Sequence, residues 1–346
     1  MLGRLFSAAA IVMGLSMPTT AQTFPDRPIT LIVPFAAGGP SDVLGRLIGQ
    51  SMSATLGQSV LIENVGGAGG TTGAARTARA AADGYTLLIH HLALAAGATL
   101  YRNLSYDTLR DFEPIGLINQ GPFVIVSKNG LETKTIAEFL DHVKKTGKGI
   151  SFGTAGVGSG SHLCNMMLQA QLKVQFNEIP YRGTGPAMND LVAGQLDALC
   201  DQTTNSIPQI QGGRIRAYAV TALQRVEQLP SLPTLHEAGL PNFEVTVWHA
   251  LYAPRGTPAP VVQRLSAALE TALKDPAILA RFADLGTTAY PAGQRGPAEA
   301  RAKLESEVAK WRQVITDSGF TPTNLWSGNA VLPPRRVTGR PFPPPS

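Results

Sequence analysis

Short apolar runs alternate with longer amphipathic segments along the chain from residue 28 onward. Residues 29–35 are mostly apolar and predict a buried strand. A glycine loop follows at 36–40, and Ser41 and Asp42 are good N-cap residues for a helix with its apolar side chains on one face. This order of strand, glycine loop and helix is typical of a parallel sheet covered by helices, so the pattern predicts an α/β fold.

The same unit recurs in two series. The first series is predicted to continue with strands at 60–62, 85–90 and 114–118 and a helix at 72–82. The second is predicted to contain strands at 150–153, 176–181, 196–200 and 215–220, a helix at 162–172 and another with Pro186 at its first position. The chain is long enough for two apolar cores, so we expect two units.

Two similar segments are interpreted as crossings between two lobes. Residues 121–127 and 247–253 each have the pattern of a strand that is followed by a turn and a helix. If the chain leaves lobe 1 at the first segment and returns at the second, lobe 1 comprises 24–120 and 247–324, and lobe 2 comprises 121–246. A ligand cleft then lies between discontinuous lobes. Two consecutive α/β domains on one linker are the alternative.

The two ends of the chain differ in composition from the segments between them. Arg4 is the only charge before the apolar run 5–17, and small residues at 19–21 suit a cleavage site, so 1–21 is predicted to be a signal peptide for export to the periplasm. The alternative is an uncleaved anchor, but the run is shorter than the roughly 20 residues that span a bilayer. Residues 325–346 are rich in proline, contain arginine and are predicted to be a disordered tail.

Charge and cysteine content limit the possible partners. The formal net charge is +5, but one arginine lies in the predicted signal and three lie in the predicted tail, which leaves the folded body near +1. We therefore expect no nucleic-acid partner. Cys164 and Cys200 are interpreted as buried small apolar residues. A disulfide is the alternative, because the periplasm is oxidising.

Three glycine loops, at 36–42, 154–162 and 182–186, each lie between a predicted strand and the start of a helix. In an open α/β sheet this edge is where ligands bind. Free N–H groups and the positive end of a helix dipole attract a carboxylate or phosphate, and glycine allows its close approach. Tight turns also need glycine, but loops of this kind in both halves favour an anion site in the cleft.

Nucleotide chemistry is not supported by the remaining motifs. The loop at 66–73 has Thr72 where a dinucleotide fingerprint needs glycine, and no Walker lysine follows any loop. The histidines are dispersed, so neither a metal nor a cofactor is expected. Asp201 follows a predicted strand and is expected either to stabilise a turn or to bind a ligand amine or an ordered water.

Hydrolase chemistry is a weaker alternative for one of the glycine loops. Ser159 and Ser161 stand beside His162, but neither serine has the flanking glycines of a nucleophile elbow. The histidine is expected to cap the loop or to donate a hydrogen bond to a ligand. A general base at this position remains open.

The motifs as a set resemble the solute receptors of tripartite tricarboxylate transporters, the Bug or TctC proteins. The resemblance extends in order over nearly the whole mature chain, at residues 32–35, 38–42, 63–64, 67–71, 83–88, 158–162, 180–183, 194–197, 232–234, 237–241 and 253–258.

The resemblance implies a type II, Venus-flytrap fold in which two lobes close on a small organic carboxylate. Loop amides and bridging waters are expected to hold the ligand, without catalysis, in a monomer that delivers it to a membrane permease. A sensor for a signalling partner is the alternative. Two departures from the family pattern, Ala36-Ala37 and His90-His91, are expected to tune ligand size. The resemblance implies these binding residues: Phe35, Ala36, Gly38, Gly39 and Asp42 in lobe 1, and Thr154, Gly156, Gly158, Ser159, Ser161, His162, Tyr181, Arg182, Gly183 and Asp201 in lobe 2.

Overall fold

The computed structural model describes residues 24–324, so the predicted signal peptide and the predicted tail lie outside the described residues. The first series consists of β1 (Ile29–Val33), α1 (Pro40–Leu56), β2 (Val60–Asn64), α2 (Thr71–Ala78), β3 (Thr86–His91), α3 (Leu92–Leu100) and β4 (Phe112–Lys128). The second consists of α4 (Ile136–Thr146), β5 (Ser151–Thr154), α5 (Gly160–Leu172), β6 (Asn177–Pro180), α6 (Thr184–Val192), β7 (Ala198–Gln202), α7 (Thr203–Gln211) and β8 (Ile215–Val220). The chain ends with β9 (Thr246–Pro254), α8 (Ala259–Ala272), α9 (Pro276–Asp284), β10 (Thr288–Ala289) and α10 (Pro297–Asp317).

The long strand β4 connects the two lobes. The strand order is β2-β1-β3-β9-β4-β7-β5-β6, with β8 and β10 also paired to β4. Residues 112–122 of β4 pair with β9, whereas residues 123–128 pair with β7 and β8. The separate strands predicted at 114–118 and 121–127 are therefore one continuous strand. β9 lies between β3 and β4, so the chain returns to the first group of strands after the second series.

Apolar residues at helical and strand spacing form the cores. In the first lobe, α1 and α8 cover the sheet, where Leu44, Ile48 and Leu265 pack in one buried cluster with Val33. Full burial of each such side chain contributes roughly 1.5–3 kcal/mol. A smaller cluster fills the second lobe, and the largest cluster runs through both lobes along β4 and β9.

The helix starts differ from the sequence predictions. α1 begins at Pro40 with Gly39 as its N-cap, so Ser41 and Asp42 lie within the first turn. α6 begins at Thr184, which places Pro186 third in the helix. Proline is tolerated there because the first four N–H groups of a helix have no partner within it. No helix within residues 24–324 is both long and apolar enough to cross a bilayer.

The cysteine interpretation was wrong, because Cys164 and Cys200 form a disulfide. Cys164 lies in α5 and Cys200 in β7, and both are fully buried where this helix packs on the sheet. Their Cα atoms are 6.3 Å apart, within the range that a disulfide spans. Sequence spacing alone does not show that a helix and a strand bring two sulfurs together.

Candidate functional site

A narrow cavity lies where the loops of the two lobes meet. The empty space between its atoms is about 310 Å³, a figure that includes open solvent at the mouth of the cavity. Its lining contains hydroxyl, aromatic, imidazole, amide and carboxyl groups but neither lysine nor arginine. The lining residues are Phe35, Gly39, Pro40, Ser41 and His91 from the first series, and Phe123, Ala155, Ser159, Gly160, Ser161, Thr184, Asp201 and Gln202 from residues 123–202.

Five helices begin at the wall of this cavity. Gly39 and His91 are the N-caps of α1 and α3, Ser159 and Gln202 are those of α5 and α7, and Thr184 is the first residue of α6. Each helix start has N–H groups without partners inside the helix and the positive end of a dipole. The helix starts therefore favour an anion in the cavity, although no lysine or arginine lines it.

Asp42 lies behind the first loop and shapes it. One carboxylate oxygen of Asp42 accepts hydrogen bonds from the Gly38 N–H and from Arg46 Nε, both at 3.0 Å. The other oxygen accepts from Asn64 Nδ2 at 3.0 Å. Burial raises the pKa of Asp42, but these hydrogen bonds outweigh it and lower the pKa below its ordinary value. Both oxygens are thus occupied away from the cavity lining.

The second loop is organised by the side chains of its own residues. Ser159 caps α5 by accepting a hydrogen bond from the His162 N–H at 3.3 Å. Ser161 Oγ accepts from the Ala155 N–H at 2.9 Å and lies 3.1 Å from Ser159 Oγ. His162 Nδ1 accepts from the Gly158 N–H at 3.3 Å, and burial lowers the pKa of His162 to about 4. The imidazole thus stabilises the loop, and its Nδ1 bonds the backbone instead of a serine hydroxyl.

Asp201 is a carboxyl group in the cavity wall. It lies in β7 and is completely buried. One oxygen accepts a hydrogen bond from the Gln202 N–H at 2.9 Å, and Asn205 Nδ2 and the Thr184 side chain also bond the carboxyl. Burial raises the pKa of Asp201 to about 6, although these hydrogen bonds lower it. Asp201 thereby connects the first turns of α6 and α7.

His91, rather than the predicted His90, reaches the cavity lining. His90 lies behind the lining, where its Nδ1 accepts a hydrogen bond from the His91 N–H at 2.8 Å. His91 caps α3 through Nδ1, which accepts from the Ala93 N–H at 3.1 Å, and its ring stacks on Phe35 with a centroid separation of 4.9 Å. The two histidine rings are in edge-to-face contact with centroids 5.4 Å apart, but only His91 is the N-cap of α3.

His249 joins this group through strand pairing. β3 and β9 run antiparallel with His91 opposite His249, whose Nε2 lies 3.1 Å from Ser41 Oγ. Burial lowers the pKa values of His90 and His249 to about 3, which makes His249 a weak base toward Ser41. The sequence did not reveal this pair, because its members are 208 residues apart. Among residues 24–324, no group of three or more His, Cys, Asp or Glu is arranged to hold a metal ion.

Backbone and glycine make a close contact between the lobes, which we call the interlobe glycine contact (Ala36, Ala37, Arg182, Gly183 and Gly185). The Ala36 N–H donates to the Arg182 carbonyl at 3.0 Å. A Cβ on Gly183 would lie 2.8 Å from the Ala36 nitrogen, and one on Gly185 would lie 2.8 Å from the Ala37 carbonyl oxygen. Arg182 contributes its carbonyl to this contact, while its side chain is exposed.

The predicted residues outside the lining stabilise its loops. The Thr154 hydroxyl accepts a hydrogen bond from the Gly156 N–H at 3.2 Å, and the Tyr181 hydroxyl donates to Asp190 at 2.8 Å. Burial, with Asp190, raises the pKa of Tyr181 to about 12. The cavity lining includes five of the predicted residues, which are Phe35, Gly39, Ser159, Ser161 and Asp201.

Comparison with known proteins shows the family of the chain. The family model described as Tripartite tricarboxylate transporter family receptor matches residues 44–320. An Agrobacterium vitis protein described as "UPF0065 protein in the TAR-I ttuE-ttuC' intergenic region" is 48% identical over 314 residues, which cover 90% of this chain and 91% of that protein.

Solved structures of similar proteins have the same fold. The periplasmic binding protein BugD is 44% identical with a TM-score of 0.84, over 86% of this chain and 99% of that one. MatC from Rhodopseudomonas palustris, solved with bound malate, is 40% identical with a TM-score of 0.82, over 84% and 100%. Another R. palustris protein, solved with adipate, is 31% identical with a TM-score of 0.82, over 87% and 100%.

These matches confirm the predicted α/β, two-lobed fold of a periplasmic binding protein and the resemblance read from the sequence motifs. The convergence of helix starts on a cavity between two lobes agrees with a site for small anions. The chain therefore belongs to the family of tripartite tricarboxylate transporter receptors, the Bug or TctC proteins, which are solute-binding proteins.

Proposed function

We propose that the exported chain captures a small organic mono-, di- or tricarboxylate in the periplasm by lobe closure and delivers it to a membrane permease, without catalysis. Residues 24–120 and 247–324 form lobe 1 in this proposal, and 121–246 form lobe 2. The observation that carries it is the meeting of five helix starts from both lobes at one cavity without lysine or arginine. The malate and adipate in two similar structures support a carboxylate ligand.

The helix starts suggest an order of binding. Lobe 2 supplies the first turns of α5, α6 and α7, whereas lobe 1 supplies those of α1 and α3. A carboxylate docks on lobe 2, and closure then adds the donors of lobe 1. Because each helix start stabilises a nearby anion by roughly 0.3–2 kcal/mol, the contacts made only after closure favour the closed state.

Calorimetry tests the ligand class. The protein is unfolded, freed of bound small molecules, refolded and titrated with mono-, di- and tricarboxylic acids. We expect saturable binding of at least one acid, and weak or no binding of its amide analogue, because the helix starts attract negative charge. Absence of binding across the whole acid panel contradicts the proposal.

The variant Gly185→Ala tests closure. Alanine suits the helix better than glycine, so α6 remains stable. However, the new Cβ would lie 2.8 Å from the Ala37 carbonyl oxygen and 2.9 Å from the Gly39 nitrogen in the closed arrangement. A clash of this kind costs about 1–3 kcal/mol, so we expect affinity for the identified acid to fall about 5- to 150-fold.

A matched variant controls for changes within α6. Asn189→Ala places alanine at an exposed position of the same helix and should leave the affinity unchanged. Equal affinities of the two variants would rule out the proposed closure. Delivery is tested separately by uptake of the identified acid in cells that lack this chain, where unchanged uptake contradicts it.

A further inference from the structure

A hydrogen bond joins the two proposed lobes outside the ligand cavity. Tyr101 of lobe 1 is the C-cap of α3, and its hydroxyl donates to the Val157 carbonyl of lobe 2 at 2.6 Å. Neither residue belongs to the cavity lining. Tyr101 is buried, and burial raises the pKa of its hydroxyl to about 12. The hydroxyl therefore keeps its proton and remains a donor at neutral pH.

Two glycines allow backbone to pack closely against this hydrogen bond. A Cβ on Gly69 of lobe 1 would lie 1.9 Å from the Val157 carbonyl oxygen. A Cβ on Gly158 of lobe 2 would lie 3.4 Å from Cε2 of the Tyr101 ring. Donor and acceptor thus meet at a crowded contact between the lobes, where an acceptor that loses its donor lowers the stability of the contact.

The segment that follows α10 makes a second contact beside the first. The Phe320 ring of this segment lies edge-on to the His162 ring of lobe 2, with centroids 5.6 Å apart. The segment is also bound to the end of α3, because the Thr323 N–H donates to the Leu100 carbonyl and the Arg102 N–H donates to the Thr323 carbonyl, both at 2.9 Å. It therefore holds the chain on both sides of Tyr101 while it contacts lobe 2.

We propose that Tyr101 and Phe320 form an outer latch, which holds the two lobes closed and slows the release of a bound solute. This inference rests on the proposed lobe closure and goes beyond it, because neither residue lines the cavity. Opening of the lobes separates Tyr101 from Val157 and Phe320 from His162. Contacts that exist only after closure stabilise the closed state and leave the first encounter with the solute unchanged. Both are thus positioning residues.

Stopped-flow kinetics test the outer latch with the variant Tyr101→Phe of the refolded full chain. The probe is whichever of malate, succinate, adipate and citrate binds most tightly. The variant loses one net hydrogen bond in the closed state alone, so we expect the acid to dissociate about 3- to 10-fold faster, with association changed less than about twofold. The melting temperature of the ligand-free variant should be unchanged, whereas its increase with saturating acid should be smaller.

The variant Tyr106→Phe is the matched control. Tyr106 is also buried in lobe 1, but its hydroxyl has no hydrogen-bond partner within residues 24–324. The control removes the same atom without the loss of a contact between the lobes. Both rate constants should therefore equal those of the unchanged protein.

The variant Phe320→Leu tests the other half of the outer latch and keeps the inference testable if Tyr101→Phe does not fold. Leucine keeps an apolar side chain but loses the ring contact with His162. An edge-to-face ring pair contributes more than its buried area alone, so we expect the acid to dissociate about 2- to 10-fold faster.

The possible results separate the outer latch from the proposed function. Equal dissociation rates of Tyr101→Phe and the unchanged protein overturn the latch alone, and where that variant does not fold, equal rates of Phe320→Leu do so. A lower melting temperature of ligand-free Tyr101→Phe without faster dissociation also overturns it, because the hydroxyl then stabilises the fold and not the closed state. Failure of every acid to bind overturns the proposed function and the latch with it.

Discussion

Burial determines the protonation of the titratable side chains around the cavity. Burial raises the pKa of Asp201 to about 6, lowers those of His90 and His249 to about 3, and lowers that of His162 to about 4. At neutral pH these imidazoles are uncharged, so the positive potential of the cavity comes from helix starts. This is consistent with a site that binds an anion by backbone dipoles.

The raised pKa of Asp201 predicts that ionisation of this buried carboxyl lowers the free energy of unfolding. Below pH 3.8 the carboxyl is protonated in both the folded and the unfolded chain. Between 3.8 and about 6 the folded chain binds more protons, so the free energy of unfolding falls as the pH rises through this window, by about 3 kcal/mol in total. In the variant Asp201→Asn this decrease should be absent, because asparagine does not titrate.

Chemical denaturation of ligand-free protein checks this expectation. The free energy of unfolding of Asp201→Asn minus that of the unchanged protein should increase by about 2 kcal/mol from about pH 4 to about pH 7. Hydrogen bonds lost to the asparagine shift this difference equally at both pH values and therefore cancel. A difference that does not depend on pH would show that Asp201 is not held at a raised pKa.

The sequence located the loops of the site but not the direction of each side chain. Gly39, Ser159 and Ser161 were predicted and line the cavity. Asp42 and His90 were predicted too, but their hydrogen bonds place them behind the lining. A loop motif shows where a chain turns, whereas the direction of a side chain depends on partners that are distant in sequence, as Asn64 is for Asp42.

At the scale of elements, the disulfide connects two parts of the site. Cys164 lies one turn after the start of α5, and Cys200 directly precedes Asp201 in β7. The bond closes a loop with a sequence separation of 36 residues. Such a loop constrains the unfolded chain, and its loss costs about 3–4 kcal/mol in the chain-entropy account.

The double variant Cys164→Ala/Cys200→Ala tests this contribution. We expect its free energy of unfolding to be lower by about 3–4 kcal/mol than that of the oxidised protein. Denaturation with and without a thiol reductant is the measurement, and the unchanged protein in reductant should approach the variant. Equal stability of the variant and the oxidised protein would show that the bond contributes nothing.

Elements with clear boundaries in the sequence were predicted well, and those without them were missed. β8 was predicted at 215–220 and is found at Ile215–Val220, and the helix predicted at 162–172 is α5 (Gly160–Leu172). α3 and α7 were not predicted because each begins immediately after a strand, at Leu92 and at Thr203, without a glycine or proline between them. These are two of the five helices that begin at the cavity.

At the scale of the whole molecule, four buried histidines make the fold sensitive to acid. His90, His91, His162 and His249 all have pKa values that burial lowers below the ordinary 6.5. The unfolded chain therefore binds more protons below pH 6.5, and the free energy of unfolding falls as the pH falls. Asp201, the carboxyl with a raised pKa in the cavity wall, has the opposite effect, because its contribution to the free energy of unfolding increases as the pH falls. This offsets only part of the loss caused by the histidines.

The variant His249→Gln tests the acid sensitivity. A glutamine amide can keep the hydrogen bond to Ser41 but does not titrate. From about pH 7 to about pH 5, its free energy of unfolding should fall by about 2 kcal/mol less than that of the unchanged protein. His236→Gln, at an exposed position, is the control. If both variants respond to acid alike, the burial of His249 is not the cause.

The sequence by itself determined the fold class, the family and the loops at which helices begin, because apolar periodicity, glycines and N-cap residues are local signals. Only the tertiary structure decided which groups meet. The pairing of β3 with β9 brings His91 opposite His249, the packing of α5 on β7 joins Cys164 to Cys200, and the lobes bring Arg182 to Ala36. Each of these contacts joins residues far apart in sequence, and such contacts depend on how strands and lobes pack, which no local pattern contains.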